Sequence, residues 1–189
     1  MNTTSPWITN GTRHVYDNPW ISVREDAVTQ PDGQPGIYGV VHFLNRAIAI
    51  VPIDSDGFTW LVGQFRYTLD SYSWEVPEGG VPIDEDLEQG ARRELAEEVG
   101  VTAAHCQYLG QFYLSNSVSD EQAHVFVAWD LTAGQPQPEG TEQLGQMRLL
   151  LDDAVGMADR GEITDILSVV ALARAQRWWN QRLASASSS

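Results

Sequence analysis

The sequence predicts an α/β fold: an α/β/α sandwich with a mixed sheet, preceded by a small N-terminal antiparallel β lobe. Strand patterns lie on both sides of a helical segment that ends at Gly100, and two further helical segments follow. The first forty-odd residues carry strand and turn patterns rather than a helical period. This order predicts a mixed sheet with helices on both faces.

The N-terminal β lobe is predicted over residues 1–45. Alternating side chains at 21–28 indicate a strand, Pro31-Asp32-Gly33 indicates a turn, and residues 37–43 indicate the returning strand. The lobe is therefore a small antiparallel sheet.

The main domain is predicted over residues 46–183. Residues 47–52 and 58–65 flank a turn at 54–57, which indicates a second hairpin that enters the main sheet. Residues 74–76 indicate a short strand that leads into a glycine loop.

A helix is predicted to begin near Asp84 or Asp86, because either side chain can cap free N–H groups. Gly100 ends this helix as a left-handed cap residue. Its buried stripe recurs every fourth residue and consists of Leu87, Ala91, Leu95 and Val99.

Strands are predicted next at residues 107–114 and 124–129, on either side of the loop 115–121. Residues 132–143 are rich in Gly, Pro, Gln and Glu and indicate an exposed loop. A short strand follows at 147–150.

Two helices are predicted to complete the chain. The first starts near Asp152 and ends at Gly161, and the second runs towards Arg182. Residues 184–189 are expected to be a disordered tail. The predicted apolar face of the last helix consists of Ile163, Ile166, Val170 and Ala173.

The composition excludes several function classes. The net charge of the 189-residue chain is −15, and all eleven basic residues are Arg, so nucleic acid and anionic membranes are not expected partners. Cys106 is the single cysteine, which fits a reducing compartment. The N-terminus lacks a signal-peptide pattern, and the longest apolar run is too short to span a bilayer. We expect a cytoplasmic protein.

Three glutamates crowd one face of the first helix. Glu94, Glu97 and Glu98 stand at spacings of three and four, so their like charges repel each other. Glu97 and Glu98 also lie at the negative end of the helix dipole. Mg²⁺, or Mn²⁺ in its place, would remove both penalties, because such cations take oxygen ligands and keep positions for water and phosphate.

This stretch resembles the Nudix box. Gly79, five residues, Glu85, seven residues and the run 93–101, Arg-Glu-Leu-Ala-Glu-Glu-Val-Gly-Val, agree with that motif, with Leu95 and Val101 at its aliphatic positions. The resemblance implies a Nudix-type sandwich. It also implies a hydrolase that cuts a diphosphate linked to another group, most often in nucleotide derivatives.

Metal ligands are expected among the acids of the box. Glu94 and Glu98 are the predicted first pair, and Glu97 is a shared or second-metal ligand. The resemblance adds the backbone carbonyl of Glu78 as a further ligand.

The other box residues are expected to support that site. Gly79 and Gly80 let the backbone approach substrate without a Cβ in the way. Arg93 is expected to orient Glu85 or Glu97 through a forked ion pair. Gly79, Glu85 and Gly100 also have structural roles in the box.

A general base is expected in the loop 115–121. Relatives that resemble ADP-ribose pyrophosphatases carry a glutamate on a mobile loop after the box, and Glu121 occupies the matching place here. Asp120 is the alternative. An exposed acid without a catalytic role is the other interpretation of Glu121.

The N-terminal lobe resembles the extra β domain of nucleoside diphosphate sugar hydrolases, which builds a dimer and part of the substrate pocket. Trp20 is expected to stack on a base, and Arg66 to pair with a phosphate. The alternatives are a hairpin anchor for Trp20 and a surface ion pair for Arg66.

Three functional hypotheses follow. The first is Mg²⁺-dependent hydrolysis of ADP-ribose or a related nucleoside diphosphate sugar by a homodimer, giving a nucleoside monophosphate and a sugar phosphate. The second keeps the box and changes the substrate to a dinucleotide, a dinucleoside polyphosphate or another diphosphate. The third is a non-catalytic ligand-binding module, which the intact box carboxylates disfavour.

Overall fold

A computed structural model of the protein describes residues 3–136 and 144–186. The following elements are given in chain order: β1 (Ile8–Asp17), β2 (Ile21–Thr29), β3 (Pro35–Phe43), β4 (Asn45–Pro52), β5 (Phe58–Arg66), β6 (Ser71–Glu75), β7 (Glu78–Pro82), α1 (Leu87–Glu94), β8 (Val101–Tyr113), β9 (Gln122–Ala133), β10 (Gly145–Leu150), α2 (Leu151–Asp159) and α3 (Ile166–Ala186). In the predicted loop 132–143, residues 137–143 lie outside the described residues.

The N-terminal lobe is a three-stranded antiparallel sheet in the order β1-β2-β3, which confirms the predicted small β lobe. The strand β1 was not predicted, because two irregularities, between Thr9 and Gly11 and between His14 and Tyr16, interrupt its pairing with β2. Every residue of β1 is exposed. The sequence therefore lacks the alternation of a half-buried strand there.

The central sheet is mixed and four-stranded, in the order β7-β4-β9-β8. The pair β4 and β9 is parallel, and the outer pairs are antiparallel. On one face Ile48 and Ile50 of β4 belong to the same buried cluster as Leu95. On the other face Ala49 packs in a cluster with Leu172 of α3. Helices thus cover both faces, and the predicted α/β/α sandwich is confirmed.

A second small sheet has the order β10-β5-β6. The prediction of a hairpin from residues 47–52 and 58–65 is wrong, because β4 belongs to the central sheet and β5 to this one. The turn itself is present, since Asp54 N donates to Phe58 O at 3.0 Å. A tight turn at this site therefore connects strands that separate into two sheets.

The predicted glycine loop is a strand. Gly79 pairs with Ile48 and Gly80 with Ala47, so both glycines lie within β7 at the edge of the central sheet. Glycine in a strand often marks a close approach of another group. The group that approaches here is a carboxylate of the helix that follows.

The helix of the box begins and ends as the sequence predicts, but only its first part, α1, is a regular α-helix. Asp86 is the N-cap and accepts a hydrogen bond from Gln89 N at 3.0 Å. After α1 the helix continues over Leu95–Val99 as a π-helical turn. Gly100 then adopts the left-handed conformation, with φ of 72°. Such π turns are frequent at functional sites.

The last helix differs from the prediction in its buried face and its end. Its buried residues are Leu167, Ser168, Ala171, Leu172 and Ala175, whereas Ile166 is exposed and Ile163 precedes the helix. The helix continues through residues 184–186, which were expected to be disordered, and residues 187–189 lie outside the described part. Within the described ranges, no helix has both the length and the apolar character needed to cross a bilayer.

Candidate active site

The packing of β7 against the box helix places a glutamate beside the strand backbone. A Cβ added at Gly79 would collide with the carboxylate of Glu94. Glycine therefore allows that carboxylate to lie against the strand, because a Cβ at this position would displace it. The predicted role of Gly79 in the box has this steric basis.

Glu98 contacts the start of the same strand. It is 2% exposed, and its Oε2 accepts a hydrogen bond from Glu78 N at 2.9 Å. The carbonyl of Glu98 accepts from the side-chain amide of Gln146. Glu94 and Glu98 thus lie against neighbouring residues of β7, Glu94 beside Gly79 and Glu98 on the backbone of Glu78.

The Arg93 guanidinium joins several oxygens of the box. Its Nη1 donates to Glu94 Oε1 at 2.8 Å and to Glu97 Oε2 at 3.2 Å. Its Nη2 donates to Gly80 O at 3.3 Å and lies 3.5 Å from Glu85 Oε2. Burial opposes the charge, but Glu94 and Glu85 raise the pKa of Arg93 above its ordinary value. The contacts expected for this arginine are present.

A cleft of about 810 Å³ lies in front of β7. We call it the main cleft. It is bounded by the N-terminal sheet, the β5–β6 hairpin, the loop after β8 and the start of α3. Six of the predicted site residues line it: Trp20, Arg66, Glu78, Gly79, Gly80 and Glu121.

The glutamates of the box helix lie next to β7 and do not line the main cleft themselves. Glu94, Glu97 and Glu98 are not among the described residues that line it, whereas Gly79 both lines it and contacts Glu94. Within residues 3–136 and 144–186, no three His, Cys, Asp or Glu side chains already converge as a set of metal ligands.

Arg66 lies in the main cleft with its charge already compensated. Its Nε donates to Glu75 Oε1 at 2.8 Å, and its Nη2 donates to Glu78 Oε1 at 2.8 Å. The hydrogen bond to Glu75, which is 2% exposed, is the main cause of the raised pKa of Arg66. A phosphate that approaches Arg66 therefore competes with two carboxylates.

The side chain of Glu78 is in an acidic environment. It is 13% exposed, and its Oε2 is buried and has no hydrogen-bond partner in the described structure. Burial raises the pKa of Glu78 well above its ordinary value, and the nearby charges of Asp165 and Glu75 add to this shift. A cation bound here would relieve both penalties, because it would attract the carboxylate oxygens.

Trp20 forms the outer wall of the main cleft and is 66% exposed. Asn18 Oδ1 accepts hydrogen bonds from the backbone N–H groups of Trp20 and Ile21, both at 2.9 Å. Leu44 N donates to Trp20 O at 2.9 Å. The turn is held by the Asn18 side chain and by backbone groups, and the indole of Trp20 takes no part in these bonds, so its face is available for stacking.

The two acids of the loop 115–121 have different surroundings: Glu121 faces the main cleft and Asp120 faces β3. Glu121 lines the main cleft. Its pKa is raised, mainly by burial and also by the negative charge of Asp165. Asp120 instead contacts His42 and the backbone of Phe43. The geometry therefore favours Glu121 over Asp120 as the acid that faces a substrate.

Sequence reasoning missed Asp165, which lines the main cleft at the start of α3. Its Oδ2 accepts a hydrogen bond from Ser168 N at 2.6 Å, so Asp165 caps that helix. A capping signal three residues before Ser168 could have shown this position. The predicted apolar face of the last helix includes Ile163, which makes Asp165 an interior residue of that helix, so its capping role was missed.

Comparison with known families identifies this arrangement. A model of the NUDIX domain matches residues 43–169. The chain belongs to the Nudix hydrolase family. A second model, for the nucleoside diphosphate sugar hydrolase N-terminal domain, matches residues 7–41 of this Nudix hydrolase.

Relatives of this Nudix hydrolase include ADP-ribose pyrophosphatases. One from Bacillus subtilis is 29% identical over 160 residues, which cover 84% of this chain and 86% of that protein. One from Mycobacterium tuberculosis is 32% identical over 155 residues, 80% of this chain and 74% of that protein. A crystal structure of an ADP compounds hydrolase superposes with a TM-score of 0.85 at 21% identity, over 96% of this chain and 98% of that chain.

Nudix hydrolases generally use divalent metal ions. The donors gathered around β7 in this chain fit such an ion, because they are oxygens and one buried carboxylate oxygen of Glu78 has no partner in the described structure. This is the chemistry of a hard cation site.

Proposed function

We propose that this Nudix hydrolase cleaves the diphosphate bond of ADP-ribose or a related nucleoside diphosphate sugar, with Mg²⁺ as cofactor and Mn²⁺ as a substitute. The products are a nucleoside monophosphate and a sugar phosphate. The main cleft carries this proposal, because its volume of about 810 Å³ suits a whole nucleotide sugar and it brings box glycines, Glu121, Arg66 and Trp20 together. The ADP-ribose pyrophosphatase relatives support the same substrate class.

The proposed metal ligands are Glu94, Glu98 and the backbone carbonyl of Glu78, with Glu97 as a shared or second-metal ligand. A divalent ion bound by these ligands would neutralise the phosphoryl oxygens and lower the pKa of a coordinated water. Arg93 keeps the carboxylates of Glu94 and Glu97 in place through its hydrogen bonds.

The other residues of the main cleft have proposed roles around the substrate. Trp20 stacks on the base, since its indole is exposed on the cleft wall. Arg66 contacts a phosphate and shares its charge with Glu75 and Glu78. Glu121 accepts the proton of the attacking water as general base, because a raised pKa brings its carboxylate closer to neutral pH.

A substrate panel tests the proposal. Phosphate release after phosphatase treatment would be measured for ADP-ribose, GDP-mannose, UDP-glucose, NADH and diadenosine polyphosphates, with and without Mg²⁺. We expect turnover of ADP-ribose or another nucleotide sugar that requires the metal. Turnover of dinucleotides alone would favour the second hypothesis.

We further propose that the enzyme is a cytoplasmic homodimer. Large exposed apolar side chains on the N-terminal sheet, including Ile8, Tyr16 and Ile37, support association through that sheet. The match of residues 7–41 to the N-terminal domain of nucleoside diphosphate sugar hydrolases fits this assignment.

A further inference from the structure

The loop 115–121 is attached to the edge of the N-terminal sheet. Val41 N donates to Val118 O at 2.9 Å, and Asp120 N donates to Val41 O at 3.2 Å. These bonds form a parallel bridge between Val41 and Ser119. Because β3 is the outer strand of its sheet, the loop extends the sheet by a short fourth segment.

Side chains strengthen this attachment. His42 Nδ1 lies 2.6 Å from Asp120 Oδ2, and Phe43 N donates to Asp120 Oδ1 at 3.1 Å. The hydroxyl of Tyr38 donates to Ser117 O at 2.8 Å. We call the contacts of Asp120 with His42 and the backbone of Phe43 the clasp. Both oxygens of Asp120 are thus engaged by consecutive residues of β3.

The clasp determines where the next side chain points. Successive residues of an extended segment direct their side chains to opposite sides. Asp120 is held on the His42 side, and Glu121 points into the main cleft. If the clasp is released, Glu121 is anchored mainly by the backbone at the start of β9.

We propose that His42 and Asp120 are positioning residues that hold Glu121 at the reaction centre. Their action is indirect, through the orientation of the neighbouring glutamate. The N-terminal sheet therefore contributes to turnover as well as to the wall of the cleft. This inference rests on the proposed function of Glu121 as general base.

The test compares His42→Ala with a matched control, His14→Ala. His14 belongs to the same sheet and lies 3.5 Å from the carboxylate of Asp17, but it does not contact the loop. We expect His42→Ala to lower kcat roughly ten- to a hundredfold with KM nearly unchanged, because a small misplacement of a catalytic group is costly. His14→Ala is expected to keep wild-type kinetics.

Two further variants separate positioning from general stability. His42→Asn keeps a donor near the place of Nδ1 and is expected to recover most of the lost kcat. In a Glu121→Gln background, His42→Ala is expected to have no additional effect on kcat, because the group that it positions is already disabled. An additional loss of the same size in that background would overturn the proposal.

Hydrogen exchange measured on the same samples distinguishes this inference from the proposed function. Faster amide exchange in residues 115–121 of His42→Ala, together with an unchanged kcat, would overturn the positioning role while leaving diphosphate hydrolysis intact. A wild-type enzyme that cleaves no diphosphate would overturn the proposed function and the positioning role together.

Discussion

Glu98 is the box carboxylate with the least exposure to solvent. At 2% exposed, it is a buried carboxyl group that accepts a hydrogen bond from Glu78 N. Burial of an ionised carboxylate is costly unless charge or hydrogen bonds compensate it. A buried carboxyl group that lies next to a cleft in this way is typical of a functional site.

The substitution Glu98→Gln is expected to lower kcat by at least about a hundredfold, because it removes the charge and keeps the shape. The thermal unfolding midpoint should change little. The matched control is Glu88→Gln, the same change on the exposed Glu88 of the same helix, where the partner is Arg92. Activity of Glu98→Gln equal to that of the control, assayed with Mg²⁺, would contradict the proposed site.

The pair Asp165 and Glu121 yields a prediction for the pH profile. Burial and the negative charge of Asp165 both raise the pKa of Glu121. A general base must be deprotonated, so activity rises as pH increases through that pKa. Asp165→Asn removes the repulsive charge, and the acidic limb of kcat/KM should therefore move to lower pH.

Asp159→Asn, at the end of α2, is the control for this measurement. It removes the same charge from a residue outside the described lining of the main cleft. An acidic limb that stays at the wild-type pH in Asp165→Asn would assign the limb to another group.

At the scale of elements, the edge strand β7 and the box helix form one unit. The glycine at position 79 allows Glu94 to lie against the strand, and the π-helical turn Leu95–Val99 sets the direction of Glu97 and Glu98. A regular helix would place these acids at other angles. The site therefore depends on a strand without a side chain and a helix with a wider last turn.

Gly79→Ala is expected to destabilise the protein by about 1–3 kcal/mol, because overpacking forces the neighbour to move. The displaced neighbour is Glu94, so kcat should fall as well. Gly39→Ala is the control, since a Cβ at Gly39 of β3 meets nothing within 4 Å. Urea unfolding and initial rates would be measured for both variants, and equal behaviour of the two would refute the steric argument.

The sequence allowed the box, the helix cap and most strands to be predicted, because these depend on local patterns. Asp86, Gly100 and the buried stripe of the helix follow from neighbouring residues alone. The pairing of strands does not follow from neighbouring residues. The turn between β4 and β5 was predicted, but the two strands belong to different sheets. Ile163 of the predicted apolar face is buried, but it precedes α3. Within the helix, tertiary packing buries Leu167 and Leu172, whereas the predicted Ile166 and Ala173 are exposed.

The candidate site was predictable to a similar extent. The box predicts Glu94, Glu97 and Glu98 as metal ligands, and in the structure Arg93 contacts Glu94 and Glu97. Asp165 could not be found in this way, because it enters the main cleft only through the packing of α3 against the central sheet. Roles that depend on distant segments require the three-dimensional fold.

At the scale of the whole molecule, the N-terminal sheet presents apolar side chains to solvent. Ile37 is 71% exposed, which is costly for a monomer in water. We expect light scattering at micromolar concentration to give the mass of two chains. Ile37→Glu should shift the mass towards one chain, whereas Ile83→Glu, a similarly exposed position outside the sheet, should not. A wild-type mass of one chain would refute the dimer.

The junction between the N-terminal sheet and the central sheet is a single residue. Strand β3 ends at Phe43 and β4 begins at Asn45, so only Leu44 separates them. Such a short joint restricts how far the lobe can turn against the central sheet. We therefore expect substrate entry and product release to depend mainly on side chains and loops around the cleft, and a flexible spacer inserted after Leu44 to loosen the lobe.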